Sequence, residues 1–203
     1  MKIIETRRAP NPRRVRVFLA EKGIDIDFEE INLMELEHKE KSFGDINPRR
    51  RVPVLVLDDD TVICETVAIC RYFEEIQPEP VLMGRDAVGK AQVDMWQRWV
   101  EIDLFWPLSQ AFRHTNERMV VLENPQFPDW GAANRPRVLE FLGFLDGVLA
   151  DKPFIAGEDY SIADITGLIA VDFLGAAELE RPPELKNLAR WHEDVSSRPS
   201  AQA

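Results

Sequence analysis

The spacing of apolar positions along the chain changes character after residue 76. Before it, short β-branched runs alternate with stretches of helical period, and beyond it the pattern is helical almost throughout. Residues 2–5 predict a short strand, and residues 12–22 a helix with Val15, Phe18 and Leu19 on one face, stopped by Gly23. A strand over 27–31 makes the opening a βαβ unit, expected parallel and right-handed. A short helix over 40–46 is broken by Asn47-Pro48. Residues 54–57 and 61–64 are β-branched runs separated by Asp58, Asp59 and Asp60, a hairpin without glycine in its turn. A helix over 66–76 follows, with Ala68, Ile69, Tyr72, Phe73 and Ile76 at helical spacing. The order βαβ, short helix, ββα is that of a thioredoxin-like domain, here residues 1–76.

Pro78 and Pro80 punctuate residues 77–85, which read as a linker. Residues 86–203 then predict an all-α helical domain, so the fold class is an α/β thioredoxin-like N-terminal domain followed by a helical one. A long helix over 87–118 carries Trp96, Trp99, Phe105, Trp106 and Phe112, with a kink or break expected at Pro107. A loop with Pro125 and Pro128 leads to helices over 132–150, 162–177 and 183–197.

Composition narrows the class. With 45% hydrophobic and 30% charged residues and no apolar run of 18, the chain reads as soluble and globular, without a transmembrane span. Its start passes directly into arginines and lacks the apolar core of a secretory signal. A net charge of −11 disfavours nucleic acid and anionic membranes as partners. Against that background Arg7, Arg8, Arg13, Arg14 and Arg16 lie together, and Arg49, Arg50 and Arg51 form a second cluster. Each cluster is either a local anion site or a solvated face, and charge alone leaves both open. The two cysteines, Cys64 and Cys70, form no CxxC pair and predict reduced thiols in the cytoplasm. His38, His114 and His192 are far apart, and no ligand spacing for a metal is present.

The run Val52-Pro53-Val54-Leu55, followed after the hairpin by Cys64-Glu65-Thr66-Val67-Ala68-Ile69, resembles the glutathione-recognition signature of the glutathione transferase family. The resemblance implies a cis Val52-Pro53 bond that turns the Val52 backbone outward to pair with the cysteinyl unit of glutathione, as a sheet edge would. Thr66, opening a helix, then offers its hydroxyl and free N–H groups to the γ-glutamyl carboxylate, and Glu65 holds the ammonium. Arg51 stands where the family places a basic or amide residue for the glycyl carboxylate, with His38 and Lys41 as further candidates. The family's frequent glycine before that position is Arg50 here. A second signature, Ser161-Ile162-Ala163-Asp164, is similar to the family's N-capping box, with Tyr160 and Ile165 placed as a hydrophobic staple.

The chain departs from the better-known classes at the loop Thr6-Arg7-Arg8-Ala9-Pro10-Asn11-Pro12, which holds no Tyr, Ser or Cys. Asn11 resembles the Pro-Asn element of some bacterial members, including the nu class, although Ala9 stands where those often have a hydroxyl residue. Asn11 as a catalytic amide donor and Asn11 as a helix N-cap both remain open. Trp106, Phe112 and Arg113 are candidates for a hydrophobic co-substrate pocket, with core packing as the competing reading. The family implies glutathione as co-substrate with no metal, and a cytoplasmic homodimer. It also implies detoxifying thiolate attack on a hydrophobic electrophile, or reduction of a peroxide or disulfide. The missing hydroxyl and thiol keep open a non-catalytic glutathione-binding or regulatory protein on the same scaffold.

Overall fold

The computed structural model describes residues 1–203. The chain divides into two compact units, Met1–Pro80 together with Ala203, and Val81–Gln202.

Unit 1 is built on a four-stranded sheet of order β2-β1-β3-β4, formed by β1 (Lys2–Glu5), β2 (Asp27–Glu30), β3 (Val54–Val56) and β4 (Val62–Cys64). β1 pairs parallel with β2 and antiparallel with β3, and β3 pairs antiparallel with β4. The helices are α1 (Pro10–Lys22), α2 (Lys41–Ile46) and α3 (Thr66–Ile76), so the thioredoxin-like order is realised. Because side chains alternate across a strand, neighbouring residues Ile3 and Ile4 serve opposite faces of the sheet. Ile4 and Val54 cluster with Phe43 of α2, while α1 and α3 pack on each other and bury Val15, Phe18, Leu19, Ile69 and Phe73.

Two details of unit 1 differ from the sequence pattern. α1 begins at Pro10 with Ala9 as N-cap, because proline suits the first helical turn, where its missing N–H costs nothing. Its end is as expected: Gly23 takes φ 64, and its N–H returns to Ala20. On α3 the buried face runs through Ile69, Cys70, Phe73 and Glu74, whereas Ile76 is 54% exposed. Glu74 can turn inward because the buried ammonium of Lys22 meets it at 2.7 Å and also donates to the carbonyls of Gln77 and Pro80.

Unit 2 is helical. α4 (Ala87–Trp99) is capped by Asp86, which accepts from the Gly89 N–H at 2.7 Å. The long helix expected over 87–118 is not one α-helix: a π-helical stretch, Val100–Phe105, separates α4 from α5 (Trp106–Thr115). Pro107 supplies the reason, since it cannot donate to the carbonyl of Asp103 and sits in the first turn of the resumed helix. α6 (Pro128–Val148) starts four residues before the expected boundary with Pro128 in its first turn, so a proline that reads as loop is a helix start. α7 (Ile162–Phe173) is buried from Ile162 through Val171, and α8 (Lys186–Ser196) closes the unit over Leu188, Trp191 and Val195.

The expected capping box opens α7. Ser161 Oγ accepts from the Ala163 N–H at 3.3 Å, and Asp164 Oδ2 accepts from the Ser161 N–H at 3.0 Å. Asp164 is fully buried and also accepts from the Ile155 N–H and the Trp191 indole N–H. Burial pushes its carboxyl upward, and these hydrogen bonds hold it down. No helix of the chain is long and apolar enough to cross a membrane.

Candidate functional site

The sheet of unit 1 brings the two halves of the recognition signature together. Val54 pairs with Cys64 at the end of the β3–β4 ladder, so Val52-Pro53, entering β3, and Glu65-Thr66, leaving β4, lie at the same end of the sheet. The Val52-Pro53 bond is cis, and neither the N–H nor the C=O of Val52 is hydrogen-bonded within the chain. Pro53 is buried, whereas Val52 is half-buried beneath this free edge.

The loop leading in is shaped by Asn47, which is 2% exposed. Its amide donates to the Arg51 carbonyl at 2.8 Å and its oxygen accepts from the Arg49 N–H at 3.0 Å. Arg50 adopts φ 54, the left-handed conformation that glycine takes freely, so the loop keeps its course with arginine in the glycine position. The Arg50 guanidinium donates to the Glu40 carbonyl at 3.2 Å and lies over Gly44, where a Cβ would approach Nη2 to 2.7 Å. The contact falls on the far end of a flexible side chain, so a larger residue at 44 would displace the Arg50 guanidinium from the Glu40 carbonyl. Arg51 itself is exposed and its guanidinium has no partner within the chain. Of the further candidates, Lys41 is tied to Asp45 at 2.5 Å and His38 is buried.

At the other side of the site, Glu65 is the N-cap of α3 with φ 72 and ψ 128, a region that L-residues avoid. Its side chain is exposed and unbonded, and its carbonyl accepts the first helical bond from Ile69. Thr66 is therefore the first helical residue rather than the cap, 6% exposed, with no hydrogen bond to its hydroxyl. The N–H groups of Thr66, Val67 and Ala68 point out of the helix start unpaired, a ready-made anion site. The adjoining Cys64 thiol is pushed up by burial and by the Glu65 carboxylate, so it stays protonated where a reactive thiolate would not.

Asn11 is not an N-cap. It is the second residue of α1, and its Oδ1 accepts from Arg14 at 3.0 Å. That bond consumes the acceptor and leaves the amide N–H groups as the free end of the side chain. The arginine cluster around it resolves into distinct roles. Arg14 and Arg16 are buried, with Arg16 paired to Glu5 at 2.6 Å, while Arg7 and Arg8 are exposed.

In unit 2 the three co-substrate candidates take different partners. Trp106 is 44% exposed and meets Trp130 edge-on at 6.1 Å, Phe112 packs edge-on against Phe173 at 5.0 Å, and Arg113 pairs with Glu123 at 2.7 Å. Seven residues apart on α5, Trp106 and Arg113 share a helix face that Phe112 does not.

Known proteins place this geometry in a family. Residues 9–76 match the glutathione S-transferase N-terminal domain and residues 123–199 the glutathione S-transferase C-terminal domain. The chain is 35% identical over 205 residues to glutathione S-transferase 2 of Saccharomyces cerevisiae, covering 100% of this chain and 88% of the yeast protein. The crystal structure of Gtt2 from that yeast superposes with a TM-score of 0.94 at 35% identity, covering 100% of this chain and 99% of that one. A glutathione S-transferase domain-containing protein of Marinobacter aquaeolei superposes with a TM-score of 0.96 at 35% identity, covering 98% and 99% of the two chains.

Proposed function

Since the chain belongs to the glutathione transferase family, we propose that unit 1 binds glutathione along the free Val52 edge and that the enzyme transfers its thiolate to an electrophilic small molecule. The observation that carries this reading is the unpaired backbone of Val52 at the same end of the sheet as the unpaired first turn of α3. An extended cysteinyl unit completes the edge with two backbone hydrogen bonds. The γ-glutamyl carboxylate takes the N–H groups and hydroxyl at Thr66, Glu65 takes the γ-glutamyl ammonium, and Arg51 takes the glycyl carboxylate.

Asn11 donates its amide to the sulfur and favours the thiolate, in keeping with its free N–H groups. The thiol proton leaves to solvent, the sulfur forms a bond to the electrophilic carbon, and the leaving group departs with its bonding pair. Neither thiol of the chain is suited to a mixed-disulfide route: Cys70 is buried and Cys64 is held protonated. On unit 2, Trp106 and Arg113 are the proposed co-substrate contacts, while Phe112, packed on Phe173 off that face, serves the core. The soluble chain works in the cytoplasm as a homodimer, for which α4 and the π-helical stretch offer exposed Val88, Met95, Trp99 and Ile102 at steps of a helical face.

Retention on immobilised glutathione, followed by turnover of a chlorodinitrobenzene, a hydroperoxide and a mixed disulfide, tests the reading. Retention with conjugation as the dominant activity is expected. Retention with only peroxide or disulfide turnover overturns the transfer assignment, and failure to bind glutathione overturns the site. Sedimentation giving a concentration-independent monomer overturns the dimer.

A further inference from the structure

Asn47 ends α2 and commits both its backbone groups and both ends of its side chain to the loop that leads to Val52. Its N–H donates to the Phe43 carbonyl at 2.8 Å, and its carbonyl accepts from the Arg50 N–H at 2.9 Å. Phe43 in turn packs with Ile4 and Val54, so Asn47 is held from the sheet. Its side chain, 2% exposed, adds the bonds to the Arg49 N–H and the Arg51 carbonyl. Pro48 already disfavours a helix at residue 47, whatever stands there. The buried amide therefore needs a reason other than the end of α2.

The bond to the Arg51 carbonyl supplies it. The Arg51-Val52 peptide is trans, and a planar trans peptide points its C=O and its N–H in opposite directions. Because the Asn47 amide holds that carbonyl at 2.8 Å, the Val52 N–H is aimed away from Asn47. This is the N–H that finds no acceptor within the chain, on the edge proposed for the cysteinyl unit. Turning the peptide over would set the N–H against the Asn47 amide, donor against donor, and strand a buried group. The preceding peptides are fixed as well, since the Arg49 N–H meets Asn47 Oδ1 at 3.0 Å and Arg50 takes its left-handed φ of 54.

We infer that Asn47 is a positioning residue of the glutathione site, whose buried amide aims the Val52 N–H at the carbonyl of the bound cysteinyl unit. The inference rests on the proposed function of the Val52 edge. Asn47 acts through the Arg51-Val52 peptide rather than by contact with the ligand. The role calls for an amide, because the oxygen must accept from Arg49 while the nitrogen donates to Arg51. Aspartate at this position keeps the acceptor, loses the donor and turns a carboxylate oxygen towards the Arg51 carbonyl.

Calorimetry with a pair of ligands reads this one bond. γ-Glutamylcysteine methylamide keeps the cysteinyl carbonyl without a glycyl carboxylate, and γ-glutamylcysteamine lacks both groups. The parent protein should bind the methylamide roughly three- to tenfold more tightly, as one net hydrogen bond supplies. In Asn47→Asp that preference should vanish, with γ-glutamylcysteamine still bound within about twofold of the parent value. Asn47→Ala should behave alike, and it decides the matter if a buried carboxylate unfolds the aspartate variant. A preference that survives in the folded variants, or an equal loss for both ligands, leaves Asn47 as a loop brace alone and overturns the inference. Failure of both variants to fold overturns it too. Absence of the preference in the parent protein overturns the Val52 edge and this inference with it, and it is seen without any variant, so the two failures are distinguishable.

Discussion

The indole N–H of Trp191 donates to Asp164 Oδ1 at 2.9 Å, which ties α8 to the first turn of α7 through a fully buried carboxylate. The same side chain accepts from the Ile155 N–H at 2.8 Å and from both the N–H and the hydroxyl of Ser161 at 3.0 Å. Asp164→Ala strands these donors, each costing about 1–3 kcal/mol when buried without a partner. A stability loss of at least about 3 kcal/mol by chemical denaturation is expected, beyond the cap loss of about 0.5–2 kcal/mol alone. Protein that folds should keep its glutathione affinity. An unaltered unfolding midpoint with lost binding contradicts the structural role.

At the proposed glutathione site, Glu65→Ala removes the carboxylate but keeps the backbone in its unfavourable conformation, whereas Glu65→Gly also relieves it. Both should weaken glutathione by about 1.5–3 kcal/mol, the value of a charge-assisted hydrogen bond. The glycine variant should be at least as stable as the alanine variant. Thr66→Ala should lose affinity with little change in fold. Unchanged affinity by calorimetry in all three variants removes this helix start from the site.

Asn11 lies in the helix rather than at its cap, but its Oδ1 accepts from buried Arg14, so Asn11→Ala should cost about 1–3 kcal/mol of stability. It should lower the rate of a conjugation reaction and raise the pKa of the bound thiol, with glutathione affinity largely kept. Ultraviolet titration of the bound thiolate reads the shift directly. A thiol pKa equal to that of the parent protein sinks the catalytic role.

Cys64 gives a pH signature. Its folded pKa is raised by burial and by Glu65, so its contribution to stability is complete below the unfolded thiol value, about 8.5, and is lost as pH rises through the folded value. Stability of the parent protein relative to Cys64→Ala should therefore decline above about pH 8.5. Alkylation by iodoacetamide at neutral pH should be slower than for a free thiol. Fast neutral alkylation, or a flat stability difference across that range, refutes the assignment.

The family resemblance supplied the pairing of Val52-Pro53 with Glu65-Thr66, whereas the local pattern alone determined the element order of unit 1, the helix stop at Gly23 and the cap at Ser161 and Asp164. These are short-range signals, in which the residue type and its neighbours already contain the physics. Proline was the ambiguous letter: Pro10, Pro107 and Pro128 each lie in a first helical turn, where the missing N–H is harmless, and Pro136 sits inside α6 without ending it. What the tertiary structure decided involves partners distant in sequence. Glu74 turns inward only because Lys22 arrives from 52 residues earlier, and Arg16 is buried only because Glu5 lies beneath it. Arg50 holds a left-handed backbone, and its guanidinium reaches over Gly44 to the Glu40 carbonyl. Likewise the Val52 edge and the start of α3 come together only when β3 and β4 pair. Burial of a charge and vacancy of a backbone edge are properties of what surrounds a residue, and the chain must fold before those surroundings exist.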